Sequence, residues 1–476
     1  MNIIKRVAQN TSVIILDNIL DILCNFLISI SLARYFGQNG FGKLSFLAIY
    51  LFFLSSVDNL WLRPILIRQM SIDEKRSAYI IGNGLLIKAA ISVFAVILFW
   101  ITIWLLNPPT EVIILAFFAS LRLLLQPIFF CYETILQVKL KMVYSVVFSL
   151  FSKILTLGLI YVIVFYKGTL FHFYLLSFIP SLIFLLQIKH YSEKIIKPKF
   201  EFDFLLWRKI FKASWPLGLS ALFIFIYNRL DQIMLFYFGG PDKVGLYSAA
   251  TRLAESFTII PVALMISALP LMSKYYEPAS KGFENIYQLS FKYLLIFIVP
   301  TATYISIFSV NLTNFFYGNK FLSSALPLSI LIWAEVFVFL GTVNQSILIA
   351  SGRQRIDPIF TGASAIVNII LNLIFIPKYS FVGAAVASLI SYSVGPMLGY
   401  FIPTTRLYSY HMFYFSLKPL VASMIMACFI ILIRKYFLVS MVISPFIYLL
   451  ALYYIKGISQ DDIRTVKSIA STQAVA

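Results

Sequence analysis

Charge is scarce in this chain. Only 12% of its 476 residues are Asp, Glu, Lys or Arg, against roughly 25% in ordinary soluble domains. Hydrophobic residues make up 61%, more apolar surface than a soluble fold can hide. A water-soluble enzyme is therefore excluded, and so is a disordered chain. Cysteine is nearly absent. Cys24, Cys131 and Cys428 lie inside apolar segments and form no CxxC pair, which excludes a disulfide framework and a thiolate metal site. His172, His190 and His411 are scattered, so no metal cluster is expected. There is no Walker A, His-x-Glu or Gly-x-Ser-x-Gly pattern. Direct ATP use and hydrolytic catalysis are not expected, nor is any cofactor. Long polar stretches are also missing, so no loop is large enough to fold as a soluble domain.

What is abundant is apolar sequence of spanning length. A membrane helix needs roughly 20 apolar residues. Runs that qualify occur at about 11–33, 44–66, 79–106, 111–136, 143–166, 169–188, 214–238, 246–272, 291–316, 322–350, 359–376, 382–402, 413–433 and 437–455. These runs are apolar all round, unlike the alternating strands of a membrane barrel. The expectation is an all-α polytopic membrane protein with about 14 transmembrane helices. The first run lacks a small-residue cleavage site and reads as a first span, not a removed signal peptide.

The net charge is +19, from 38 Lys and Arg against 19 Asp and Glu. In a soluble protein that would point to nucleic acid. Here the positive-inside rule explains it, and no nucleic-acid partner is expected. With both termini cytoplasmic, about 22 basic residues fall inside and 8 outside. The Arg434–Lys435 loop fits that scheme least well. The longest polar stretch, about 189–213, carries seven Lys and Arg and divides the first twelve spans six and six. The expected organisation is a lobe at 1–200, a lobe at 201–403, and a final helix pair with a tail at 404–476.

An internal repeat supports the two lobes. Tyr35-Phe36-Gly37 with Gly40, Gly42 and Ser45 follows span 1, and Tyr237-Phe238-Gly239 with Gly245 and Ser248 follows span 7. The copies coincide with a one-residue gap. Each reads as a tight turn where glycine permits positive φ. A weaker echo pairs 137–141 with 351–355. Six spans is an even number, so the copies are parallel, an arrangement found in transporters.

These turns resemble those of polysaccharide flippases. So do Ile349-Ala350-Ser351-Gly352-Arg353-Gln354, Asn368-Ile369-Ile370-Leu371-Asn372-Leu373, Ile376-Pro377-Lys378-Tyr379 and Gly383-Ala384-Ala385-Val386-Ala387-Ser388. The resemblance runs from about residue 1 to 455. It is to the Wzx-type O-antigen and capsule-unit transporters of the multidrug/oligosaccharidyl-lipid/polysaccharide (MOP) exporter superfamily. Phe381 stands where that family commonly has glycine. The resemblance implies two six-helix lobes in a V around a central cavity. It implies flipping of an undecaprenyl-pyrophosphate-linked oligosaccharide across a bacterial inner membrane by alternating access. The implied partners are that lipid-linked substrate, membrane lipids, and the polysaccharide polymerase and chain-length regulator of the same pathway.

The candidate site residues are charges inside spans, each costing roughly 2.5–3.5 kcal/mol at mid-bilayer unless it faces a cavity or a partner. Arg122, Lys153 and Arg229, supported by Lys88 and Arg252, are the candidates for holding a pyrophosphate. Guanidinium gives it bidentate charge-assisted bonds and ammonium adds point charge. Asp21, Asp58, Glu133, Asp231, Glu255 and Glu335 are the candidates for ion coupling. Simple pairing competes with both roles; Arg252 and Glu255, three apart, are the clearest instance. Prolines inside spans, such as Pro127 and Pro300, are candidate hinge elements. Three other functions stay open: a peptidoglycan-precursor flippase, a multidrug cation antiporter, and a polysaccharide polymerase or ligase. The deep cations weigh against the antiporter. The lack of a large outer loop weighs against the polymerase.

Overall fold

A computed structural model describes residues 3–106, 108–276, 281–403 and 405–457. Side chains at 3–12, 14–15, 53–61, 64, 106, 213–221 and 227 are not described. The described residues form helices and no strands. Thirteen α-helices follow in order: α1 (Ile3–Ile72), α2 (Ser77–Leu106), α3 (Thr110–Val138), α4 (Met142–Phe165), α5 (Leu170–Glu193), α6 (Phe204–Glu255), α7 (Ile259–Lys274), α8 (Lys281–Ile307), α9 (Ser309–Tyr317), α10 (Ala325–Ala350), α11 (Asp357–Phe401), α12 (Arg406–Leu432) and α13 (Phe437–Tyr454).

Among the described residues, eleven helical stretches are long and apolar enough to cross a membrane, which makes this a multi-pass membrane protein. Three of them are broken. A straight helix of 70 residues, the length of α1, would run about 105 Å at ~1.5 Å per residue. The hydrocarbon core is only ~30 Å thick. Gly37 breaks α1 at φ 68°, Gly240 breaks α6 at φ 75°, and Ser380 breaks α11 at φ 52°. Counting both sides of each break among the described residues gives fourteen helical segments, roughly consistent with the expected number.

The chain divides into two compact units. One comprises 1–252 with 372–384, and the other 253–371 with 385–476. In the first, Leu62, Leu66 and Met70 of α1 pack with Ile80, Ile81 and Ile87 of α2, Phe130 and Ile135 of α3, Ile188 of α5 and Ile210 of α6. In the second, Phe308 meets Ala422, Met426 and Ile430 of α12 and Tyr448 and Leu452 of α13.

The repeated turns meet each other inside the first unit. The breaks at Gly37 and Gly240 set the register at 203 residues, so the gap in the repeat falls before the glycine with positive φ. At that offset Gly42 corresponds to Gly245, Gln38 to Pro241 and Asn39 to Asp242. A Cβ on Gly42 would sit 1.7 Å from the Pro241 carbonyl oxygen, and one on Gly245 would sit 2.1 Å from the Gln38 oxygen. Asn39 Nδ2 donates to Asp242 Oδ2 at 3.0 Å. The contacts are reciprocal, as two copies about a twofold axis would make them. The Ser380 turn joins the same region. Lys243 lies over the Phe381 ring at 5.3 Å, and a Cβ on Gly239 would lie 3.6 Å from Ser380 Oγ. That packing is why residues 372–384 belong to the first unit.

Four helices end in one hydrogen-bond pattern. The residue after the left-handed position donates five residues back, as in Lys141 to Leu136, Gly168 to Ile163, Arg353 to Leu348 and Gly457 to Leu452, each at 2.8 Å. These are Schellman ends. Only Gly352 fills the left-handed position with glycine; Leu140, Lys167 and Lys456 fill the others. This is also the structural content of the echo between 137–141 and 351–355. Two helices start earlier than their apolar runs. α8 begins at Lys281 and α12 at Arg406, because Glu284, Gln288, Tyr408 and His411 lower hydropathy without preventing a helix. The run at 291–316 breaks at Phe308, the N-cap of α9.

Candidate functional site

Several charges of the first unit meet where α1, α3 and α4 pack together. Lys153 of α4 pairs with Asp21 of α1. Arg63 of α1 donates to Glu133 Oε2 of α3 at 2.8 Å. Asp17, one turn before Asp21, feels the charges of Lys153, Asp21 and Glu133, which links the two pairs. Its Oδ1 is buried with no hydrogen-bond partner among the described residues. Phe130 extends the network. The Arg63 guanidinium lies 5.1 Å from its ring centroid and Lys88 Nζ lies 5.4 Å from it. Lys88 is fully buried, so its ammonium is held by the protein interior and an aromatic face.

Among the described residues, the network holds Asp17, Asp21 and Glu133 with Arg63, Lys88 and Lys153. It is not sealed. The Asp21 side chain is 46% exposed and that of Glu133 25%. A stripe leads away from it along α3. Arg122, Gln126, Phe129 and Glu133 follow one another at helical spacing on a face that is not fully buried. Arg122 and Glu133 are eleven residues apart, three turns or about 16 Å along the axis. Arg122 has surface-accessible atoms, yet its guanidinium is enclosed by surrounding protein, with Tyr174 of α5 within electrostatic reach. The arrangement offers an anion a partly neutralised entry at Lys153 and Arg63 and a further guanidinium, that of Arg122, along the same helix face.

The other candidates lie elsewhere. Arg229 and Arg252 are half-buried on α6. Asp231 is buried; its Oδ2 accepts from Tyr247 and its Oδ1 from the Gln232 amide at 2.7 Å. Ser248 donates to Gln232 at 2.8 Å, so this polar cluster braces the two arms of α6 around Gly240. Glu255 ends α6, and its carbonyl accepts from the Thr258 amide at 3.0 Å. Glu335 is buried on α10. Asp58 lies outside the described side chains. No group of three metal-ligating side chains occurs among the described residues.

Sequence reasoning did not assign Arg63, Asp17 and Phe130 to the site. The signal for Asp17 was its spacing of four from Asp21. The signal for Arg63 was only a charge near a span end, and Phe130 gave none among so many aromatics.

Comparison with known proteins covers most of the chain. Residues 7–276 match the family described as Polysaccharide biosynthesis protein, and residues 216–374 match MatE. An uncharacterised membrane protein of Methanocaldococcus jannaschii is 25% identical over 236 residues, 46% of each chain. The probable low-salt glycan biosynthesis flippase Agl15 of Haloferax volcanii is 24% identical over 208 residues, 44% of this chain and 43% of Agl15. The matched segments thus span about half the length of these relatives. Among solved structures, the lipid II flippase MurJ in an inward closed conformation superposes with a TM-score of 0.77 at 18% identity. That match covers 92% of this chain and 98% of MurJ; it shows that the two chains share a fold.

Proposed function

The chain belongs to the polysaccharide biosynthesis protein family, and from that premise we propose that it is a flippase for a lipid-linked oligosaccharide. Its substrate on this reading is an undecaprenyl-pyrophosphate-linked repeat unit. The unit moves from the cytoplasmic to the outer leaflet of a bacterial inner membrane, for O-antigen or another surface polysaccharide. Both termini are cytoplasmic, and the lobes at 1–200 and 201–403 alternate access. A polymerase and a chain-length regulator act on the product.

The observation that carries the reading is the open ion-pair network on α1, α3 and α4. Without substrate, Asp21 neutralises Lys153 and Glu133 neutralises Arg63. An arriving pyrophosphate competes with those carboxylates for the cations, and charge-assisted bonds to phosphate oxygens replace the internal ones. The headgroup then passes along the α3 face toward Arg122. Lys88, Arg229 and Arg252 add positive field. Displaced carboxylates take up a cation or proton, so Asp21, Glu133 and the neighbouring Asp17 are the coupling groups nearest the path. A pyrophosphate leaving a negative interior also moves down the electrical gradient, by about 2.3 kcal/mol per charge per 100 mV.

The fold shared with a lipid II flippase favours one second reading, a peptidoglycan-precursor flippase with nearly the same anchor. The test is sidedness in cells that lack the protein. A membrane-impermeant glycosidase probes intact and permeabilised spheroplasts for the lipid-linked unit. Accumulation inside, relieved by the wild type but not by an Arg122→Ala, Lys153→Ala variant, is the expected result. Normal outward passage of the oligosaccharide, with lipid II trapped instead, would transfer the assignment to the second reading.

A further inference from the structure

The polybasic stretch between α5 and α6 is no free tether. Lys199 donates its amide to the Ala78 carbonyl at 2.9 Å. The chain crosses α2 so closely that a Cβ on Gly82 would sit 1.9 Å from the Lys199 oxygen. Asn83 Oδ1 accepts from the Asp203 amide at 3.1 Å and from Trp207 Nε1 at 3.0 Å. Tyr79 donates to Asp203 Oδ2 at 2.5 Å, and Asp203 Oδ1 caps α6 at the Leu206 amide, 3.0 Å away. Leu206, Trp207 and Ile210 face the core of the first unit. A rigid strap results.

The strap turns an unusual face outward. Phe202 is 68% exposed, Phe204 67% and Leu205 78%. Along α6, Arg208, Lys209 and Lys212 continue the face begun by Phe204 and Leu205, one and two turns on, and all three are exposed. Among the described residues no carboxylate pairs with Lys197, Lys199, Arg208, Lys209 or Lys212. Two acids lie in the strap: Asp203 is already used by Tyr79 and Leu206, and Glu201 is exposed, so five cations stand against two carboxylates.

Its depth identifies the occupant. The apolar stretch containing α2, Glu74–Leu105, has 32 residues, about 48 Å of helix, against a hydrocarbon core of ~30 Å. An upright stretch centred on the bilayer leaves roughly 9 Å at each end among headgroups. Gly82 is eight residues, about 12 Å, from the start of that stretch, about 3 Å beyond that margin and within one helical turn of the hydrocarbon edge. A surface at that level already faces a bilayer, its apolar side chains reach acyl chains, and its cations lie at phosphate level. We infer that residues 197–212 form a docking surface for anionic phospholipid headgroups of the adjacent leaflet. Lys197, Lys199, Arg208, Lys209 and Lys212 contact the phosphates, and Phe202, Phe204 and Leu205 anchor in the acyl region. This holds whatever the protein transports.

The full chain, purified in mixed phosphatidylglycerol and phosphatidylcholine, is assayed for retained lipid by native mass spectrometry. Wild type is expected to retain phosphatidylglycerol preferentially. Replacing the five cations by Gln is expected to lower that preference about tenfold or more. Replacing Lys274, Lys281, Arg353, Arg355 and Arg406 by Gln is expected to leave it unchanged. A Phe202→Ser, Phe204→Ser, Leu205→Ser variant keeps every charge and is expected to exchange bound phosphatidylglycerol several times faster. An unchanged preference in the first variant, an equal loss in the second, or an unchanged exchange rate in the third would overturn the assignment. So would competition by free glycerol phosphate.

Discussion

Gly42→Ala is the sharpest probe of the contact between the repeated turns. In a helix interior, alanine is favoured over glycine by about 1 kcal/mol, so the substitution alone would stabilise. At Gly42 the new methyl would lie 1.7 Å from the Pro241 carbonyl oxygen and 2.6 Å from its carbon. Ordinary contact requires the two backbones to part by about 1.5 Å. Both sides are main chain, so no rotamer change relieves the clash. Overpacking of a close contact costs about 1–3 kcal/mol, and a backbone-on-backbone contact belongs at the upper end. The expected net loss is about 2 kcal/mol. Gly158→Ala is the control: a Cβ there meets nothing within 4 Å, and the expected gain is up to about 1 kcal/mol. The difference of about 3 kcal/mol is more than a hundredfold in an equilibrium constant. The assay is thermal unfolding in detergent, followed by intrinsic fluorescence. Gly245→Ala should match Gly42→Ala. The double variant should lose less than the sum, because turns already parted have less contact to lose. Equal stability of Gly42→Ala and Gly158→Ala would refute the close approach and the reciprocity argued from it.

Other outcomes follow from the same structure. Lys153→Ala leaves Asp21 without its cation and should cost about 1–3 kcal/mol, less than a sealed pair because Asp21 is half exposed; Lys153→Ala with Asp21→Ala should recover that stability in the same melt while transport stays lost. Asn83→Ala removes the acceptor for Asp203 and Trp207, should cost about 1–3 kcal/mol, and should open residues 197–202 to protease. The Tyr79 hydroxyl and the Leu206 amide hold the Asp203 carboxyl below its usual pKa of 3.8. A depressed carboxylate stabilises above its unfolded pKa and loses that contribution as pH falls through the folded one. Exchange protection of the Leu206 amide, corrected for intrinsic rate, should therefore hold from pH 7 to 5 and fall only below the ordinary carboxylate range; Asp203→Asn should remove that dependence.

Much of the fold was legible because membrane insertion is decided by local hydropathy. The fourteen apolar runs correspond roughly to the eleven spanning stretches and their three breaks among the described residues, and Gly37 marked its own turn. What hydropathy did not reveal were the starts of α8 and α12, where Glu284, Gln288 and His411 sit in regular helix. Nor did it reveal the left-handed ends at Leu140, Lys167 and Lys456, which no glycine announced. At the site, the spacing of Asp17 from Asp21 and of Arg122 from Glu133 was present in the sequence. That Lys153 meets Asp21, 132 residues away, and that Arg63 and Lys88 share Phe130, is tertiary information. The stretch at 189–213 read as a linker because it is polar. Its rigidity comes from Asn83, a small polar residue whose partners lie 120 residues further on.

Reconstitution tests the central claim most directly. Proteoliposomes carrying an undecaprenyl-pyrophosphate-linked oligosaccharide in both leaflets are exposed to a membrane-impermeant glycosidase. The account predicts that wild-type protein makes the inner-leaflet pool accessible with time, and that Lys153→Ala and Arg122→Ala slow this severalfold. A protected pool identical to that of protein-free liposomes would contradict it.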